Sequence, residues 1–384
     1  MNIDDIAIAH SINSAGDSAV KEISRGIKSI IKAKPISLCL LFFTPHYKPA
    51  IIREVLNITL RPKNVFAIQT PMVIFQNKVL STGMVCCCLS DSAFQLRKVF
   101  TKDGDTLNTE YFFRKNTMNL KGRKRILLSA ISPKVNIHHY LRGLGLALGK
   151  SFNIFGAGFM RKYGLNNFQI LNDKIGEGAA SIIAAGDFEA NSERIGGFIP
   201  LGRKFTITRV APEKNRILEI DGKPAALIYK KYLEDKFSFF KKTDFCSFYP
   251  IGINKDNSYN IINVLDLLED DSIFCFGDIK ENIDANIMIS NPKHMMDTLE
   301  KTALKIKSGH NYGVVIVFDS ILRRRILKND ANKEISELKY ILGEDTKMIG
   351  LYCDYQIMPG EYMHEFSIEN YHLSMILLDN RINK

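Results

Sequence analysis

Apolar and polar positions alternate between helical and strand-like periods along this chain, in an order that repeats. From Ser18 to Lys32, Val20, Ile23, Ile27, Ile30 and Ile31 recur at helical spacing, and Pro35 marks the end of that helix. ISLCLLFFTP follows as a continuous apolar run, the pattern of a strand covered on both faces, and stops at Thr44-Pro45. A helix with Ile51, Ile52, Val55, Leu56 and Leu60 on one face comes next, then the strands NVFAIQT and STGMVCCCLSD. The order recurs at RILLSAISP. That strand stops at Ser132-Pro133, read as an N-cap hydroxyl with proline in the first turn. A helix with Ile137, Tyr140, Leu141, Leu144 and Leu148 follows, then FNIFGAG and GAASIIAAGD. Near the end, GVVIVFDS, a helix over Ala331 to Leu342 capped by Gly343, MIGLYCD and YHLSMILLD repeat it once more. Residue identity between the copies is weak, so both a true internal repeat and a shared common motif stay open.

The pattern shifts near residue 190. NSERIGGFIPLGRKFTITRV reads as strand, KNRILEI as an alternating strand before the turn Asp221-Gly222, and Ala225 to Leu233 as a helix. SFYPIGI, YNIINVLDLLEDDSIFCFGDI and ANIMISN read as further strands. The expectation is a mixed α/β (α+β) protein whose sheets are buried and flanked by helices.

Composition narrows the class. At 384 residues and 46% hydrophobic content, the chain can bury a large core and divide into two or three domains. MNIDDIAIAH lacks the basic and long apolar regions of a secretory leader. The longest apolar runs fall well short of the ~20 residues of a membrane span, so a cytoplasmic protein is expected. The seven cysteines lie mostly in apolar strand-like runs without Cys-x-x-Cys spacing, as for free thiols in a reducing compartment. Cys86, Cys87 and Cys88 are adjacent, and alternation along a strand keeps all three from sharing one ion. The net charge of +11 admits an acidic or nucleic-acid partner. The densest basic stretch, RKNTMNLKGRKR from Arg114 to Arg125, has no acidic residue. Gly122 is expected to make it a hairpin turn between YFF and ILLSA.

Catalytic signatures are weak. No Gly-x-Ser-x-Gly frames Ser320, and His138 and His139 are adjacent and so do not share a helix face. GAGFMRKYG lacks the ending of a phosphate loop, and GLGLALGK does not open a helix after a strand. No enzyme, no cofactor and no metal is expected.

Several segments carry a resemblance. LLFFTPHYKPAIIREVL, FGAGF, GFIPLGRKFTITRV, ILEIDGKPAALIYKKYL, VVIVFDSILRRR, GLYCDYQIMPG and FSIENYHLSMILLD match, in order and spacing, motifs of the FIST domain family. From about Ile36 to the end, the chain resembles that family's N-terminal and C-terminal modules in tandem. The domains implied are an N-terminal helical segment at 1–34, an N-terminal module at 35–224 and a C-terminal module at 225–384. The resemblance implies a sensory module of bacterial signal transduction that binds amino acids or similar small molecules. With the C-terminal module running almost to Lys384, signalling would pass through a separate partner protein. The family's Cys-x-x-Arg reads Ser320 and Arg323 here, its Gly-Glu reads Tyr355 and Gln356, and its closing Asn-x-Thr keeps Asn370 with His372 for threonine. The Gly-Cys-Ser-Thr strand end reads Ala67-Ile68-Gln69-Thr70.

Ligands of open sheets gather at the carboxyl ends of strands. Thr44, Gly156, Gly158, Ser320, Tyr352, Asp354 and Gln356 lie at or just past such ends, with Asn370 on the closing segment. In this reading Arg323 holds a carboxylate, Tyr352 forms an aromatic wall, and Asp354 or Gln356 meets an amine or amide. The plainer reading leaves Arg323 ion-paired at a helix start and Tyr352 in the core. Three functions follow: a sensor of a small amino-acid-like or carboxylate ligand, an interaction or regulatory protein without ligand, and a basic nucleic-acid binder.

Overall fold

A computed structural model describes residues 5–90, 94–148, 152–160, 167–233, 246–255, 258–308, 310–360 and 366–379. It is a mixed α/β structure with four sheets. Three of the sheets are built alike. In the first, the order is Ile6–Ser11, Met84–Leu89, Leu38–Phe43, Val65–Gln69 and then a hairpin. In the second it is Gln95–Thr101, Ala179–Gly186, Lys124–Ile131, Phe152–Gly158 and a hairpin. In the third it is Ala190–Ile195, Leu373–Asp379, Tyr312–Ser320, Lys347–Cys353 and a hairpin. In each, the two central strands run parallel and are joined by a helical crossover. The repeat read from the sequence is therefore a repeat of topology, and each unit is longer than the pattern showed. A strand and a helix precede each copy: Ile6–Ser11 with Gly16–Ile31, Gln95–Thr101 with Thr106–Thr117, and Ala190–Ile195 with Pro292–Lys307. The N-terminal segment thus contributes an edge strand as well as its helix.

The hairpins are exchanged between units in a cycle. The first unit's hairpin, Val73–Phe75 and Lys78–Leu80, pairs with Lys347–Cys353 of the third. The second unit's, Gln169–Leu171 and Lys174–Gly176, pairs with Val65–Gln69 of the first. The third unit's, Tyr355–Pro359 and Phe366–Glu369, pairs with Phe152–Gly158 of the second. Register makes Thr44, Ser132 and Ser320 equivalent, and with them Leu40, Leu128 and Ile316. Those three, together with Phe42, Ala130 and Phe318, point into one apolar core shared by all three sheets. The opposite faces pack under helices in separate clusters, such as Val20, Ile23, Ile52 and Leu56 over the first sheet. Continuous apolar strands are what burial on both faces requires.

The fourth sheet lies between Ala190–Ile195 and Pro292–Lys307 in sequence. Its strands follow the order Ile199–Val210, Ile283–Ile289, Ile251–Lys255, Ser258–Leu267, Ile273–Phe276 and Arg216–Ile220, and the last pairs back to the first. Six strands so close into a barrel, and the two-residue strand Lys223–Pro224 pairs outside it on Arg216–Ile220. Asp221 and Gly222 have φ of 50° and 70°, the turn that the dipeptide predicts.

Two local readings are corrected. YFF is not a strand, and Gly122 does not turn a hairpin: residues Thr106–Thr117 form a helix capped by Asp105, whose carboxylate accepts from the Leu107 and Asn108 amides. Gly122, at φ 113°, instead leads that helix into the Lys124–Ile131 strand. A short aromatic run cannot by itself tell strand from helix, and here the cap decides. Ser132 does not cap the next helix either. Pro133 falls in a turn, the helix begins at Ile137, and Asn136 accepts from the His138 and His139 amides. Among the described residues, no helix is long and apolar enough to cross a membrane.

Candidate functional site

The carboxyl ends of the central strands bear most of the residues singled out above, and the structure divides them among three environments. In the first unit, the Thr44 hydroxyl accepts from the Gly83 amide at 2.9 Å and donates to the Gly83 carbonyl at 3.0 Å. Thr44 thus ties two strand ends together, and Thr70, whose amide donates to the Phe43 carbonyl, links this end to the third unit by donating its hydroxyl to the Tyr352 carbonyl at 2.6 Å. In the second unit, Gly156 and Gly158 lie opposite Ile357 and Tyr355 of the incoming hairpin. A Cβ at Gly158 would overlap the Tyr355 ring. Tyr355 also meets Phe276 of the barrel at 4.8 Å between ring centroids. The pair therefore exchanges one large and one absent side chain across a ladder, which explains both the glycine and the departure at Tyr355.

The third unit gathers the charged groups. Ser320 caps the helix Ile321–Leu327 by accepting from the Leu322 amide. That helix aims Arg323 inward, and Arg323 is fully buried. Its Nε donates to Glu334 at 2.7 Å, Nη2 donates to the same carboxylate oxygen, and Nη1 donates to the Ile195 and Gly196 carbonyls. Glu334 rides on the buried stripe of the helix Ala331–Leu342. Asp319 and Tyr352 face each other across the parallel pair on the same side of the sheet. Both are fully buried. Burial pushes the Asp319 carboxyl well above the usual carboxylate range, and the charge of Glu334 adds to this. Burial likewise raises Tyr352. Asp319 and Tyr352 interact through their side chains, while Glu334 Oε2 has no hydrogen-bond partner among the described residues. Such orphaned buried atoms are uncommon in folded proteins and mark seats for a proton, a water or a polar ligand atom.

The remaining candidates border this cluster. The Asp354 carboxylate accepts from the Met160 amide at 2.8 Å and so anchors the second unit to the third. Gln356 is buried on the inner face, donates to Cys353 Sγ at 3.6 Å and leaves Oε1 unpartnered. Register makes it equivalent to Gln169, also buried, whose Oε1 is unpartnered too, and to Val73 in the third position. Neither side-chain atom of buried Asn370 has a partner, while its carbonyl faces His372 Nδ1 at 2.7 Å. Burial lowers the His372 pKa, and Glu369, held by Arg194 at 2.7 Å, works against that shift.

At the opposite end lies a cavity with space of about 80 Å³ for water-sized molecules. Leu40, Leu128 and Ile316, one from each unit, are among the residues that line it, and Ala184 and Ile376 join them. Its outer residues, Leu38, Leu89, Phe94, Leu96 and Leu378, are only partly buried. No charged side chain lines it.

Sequence reasoning reached Arg323, Ser320 and Tyr352 but not Glu334 or Arg194. A glutamate within the stripe Ile335, Leu338 and Leu342 was the available signal for the first. Arg194 had none, because its partner lies far along the chain. The axial cavity was out of reach, since it depends on which faces of three distant strands converge.

Comparison with known families places these features. A search of curated proteins finds no significant match. The FIST N domain matches residues 37–223 and the FIST C domain matches residues 225–359. Together they span most of the chain, taking in the second unit, the barrel and the parallel central strands of the other two units, and the chain belongs to the FIST family, a domain class assigned to sensing and signalling.

Proposed function

We propose that this chain senses a small molecule and passes its bound state to a separate signalling protein. The observation that carries the reading is the axial cavity. Each unit supplies lining residues, so an occupant touches all three at once, and a change there is felt across the whole fold. Its wholly uncharged lining favours an apolar molecule, as dry apolar cavities take up small hydrocarbons and aromatics. A second reading keeps the amino-acid-like or carboxylate ligand at the carboxyl end of the third unit. The unpartnered atoms of Gln356 and Asn370 favour it. A carboxylate bound to Arg323 would have to displace Glu334 from it. The reading is of a binding protein and assigns no catalytic residue.

Thermal unfolding with a panel of ligands tests it. Indole and toluene represent the apolar class; amino acids and small carboxylates represent the other. A ligand that binds only the folded state stabilises by about 2.7 kcal/mol at a hundred times its dissociation constant. A graded rise with the apolar class, abolished by Ala184→Phe, supports the axial seat. A rise with carboxylates alone moves the seat to the third unit. A flat panel overturns the sensor and leaves an interaction or regulatory protein on the same fold.

A further inference from the structure

The basic stretch from Arg114 to Arg125 plays no part in either ligand seat. It runs out of the helix Thr106–Thr117, which is unusual in being apolar on both faces. Thr109 and Phe113 are its buried residues. On the other side Leu107 is 74% exposed, Tyr111 60% and, just past the helix end, Met118 68%. Spacings of four and seven residues set these three along one stripe. The neighbouring helix Ile137–Ala147 extends the surface. Arg114 Nη2 donates to the Leu146 carbonyl at 2.7 Å, and the Leu146 side chain is 49% exposed.

The flank that follows this ridge is predominantly basic, while Asp103 and Asp105 stand at its N-terminal end. Arg114, Lys115, Lys121 and Arg123 are exposed on the stretch that follows the stripe, and Arg142 is exposed one turn before Leu146. Glu110 is paired with Arg114 at 2.8 Å and Asp187 with Arg123 at 3.4 Å, so Lys115, Lys121 and Arg142 carry the excess positive charge of this face. Side chains left standing in water at this exposure do not contribute to the fold's own burial. An apolar stripe with an aromatic residue and a basic flank is the pattern of a helix lying in the plane of a bilayer surface. Basic residues near an anionic leaflet draw the face to the surface, and apolar side chains then enter between headgroups.

We propose that the face formed by Thr106–Thr117 and Ile137–Ala147 rests on an anionic lipid surface, with Leu107, Tyr111, Met118 and Leu146 inserted and the basic residues over the headgroups. This would hold the protein at a membrane surface. The proposal is independent of either ligand seat.

Co-sedimentation of the full chain with vesicles tests it. One set is phosphatidylcholine alone, the other phosphatidylcholine with roughly 30% phosphatidylglycerol, at roughly 0.1 M salt. Expected is saturable binding to the second set only. The double variant Leu107→Ser/Tyr111→Ser should weaken it roughly tenfold through lost apolar burial. Lys115→Glu/Arg142→Glu should weaken it at least as much, and added salt should reduce binding of the native chain. These are surface positions, so unchanged unfolding midpoints certify the variants as folded. Absence of binding to anionic vesicles overturns the proposal, and so does binding that both double variants leave unchanged. Binding of a single-stranded oligonucleotide through the same residues, with none to vesicles, also overturns it and assigns the face to nucleic acid.

Discussion

Arg323 illustrates what a single buried charge demands. Its guanidinium is surrounded by acceptors from the chain itself, a carboxylate on one side and two carbonyls on the other. A buried ion pair adds little net stability, but breaking one leaves a charge without a partner. Arg323→Met should therefore cost about 3–5 kcal/mol in urea unfolding, and Arg323→Met/Glu334→Met should cost less than Arg323→Met alone. Equal or larger loss in the double variant would contradict the pairing. Asp319, close by, carries the opposite sign of prediction. Its folded pKa is raised, so the folded state keeps a proton that the unfolded chain releases above about pH 4. Its contribution is unpenalised at acid pH and declines as pH rises toward its folded value. Asp319→Asn should flatten that decline between about pH 4 and 7, measured by urea midpoints across the range. His372 acts at the other limb. Its pKa is lowered, so stability falls as pH drops below about 6.5, where the unfolded histidine takes up its proton first.

At the scale of elements, the strands and crossover helices were legible because their apolar runs obey a simple period. Leu38–Phe43, Lys124–Ile131 and Tyr312–Ser320 read as buried strands, and Ala331–Leu342 was bounded correctly by its stripe and by Gly343. The misread element was Thr106–Thr117, where apolar residues point both inward and outward and so blur the period. Hairpin exchange was not legible at all. Val73–Phe75 lies within its own unit in sequence, between Val65–Gln69 and Met84–Leu89, and nothing local tells it to pair with Lys347–Cys353. The docking of the third unit's hairpin on the second depends on Gly158 beneath Tyr355. Gly158→Ala should destabilise by about 1–3 kcal/mol through overpacking. Adding Tyr355→Gly, the family's own residue there, should remove the clash, so a double-mutant cycle should show coupling of at least about 0.5 kcal/mol. Additive losses would mean that the contact does not hold the hairpin.

For the whole molecule, two modules that are consecutive in sequence are interlocked in space. The barrel takes Ile199–Val210 and Arg216–Ile220 from the FIST N match and its other four strands from the FIST C match. Two of the three hairpins also cross between the matches, while the Gln169–Leu171 hairpin stays within the first. A chain ending at residue 223 would lose Lys347–Cys353 beside Val73–Phe75 and Ile283–Ile289 beside Ile199–Val210, and it should show no cooperative thermal transition by circular dichroism. The shared interior, with its cavity, exists only when all three units are assembled. Native-state hydrogen exchange tests this claim most directly. As denaturant rises toward the midpoint, the slowest amides of Leu38–Phe43, Lys124–Ile131 and Tyr312–Ser320 should converge on one opening free energy, because no unit can leave without exposing the common core. Separate limiting values for the three strands, with one unit opening while the others stay protected, would contradict the interlocked fold.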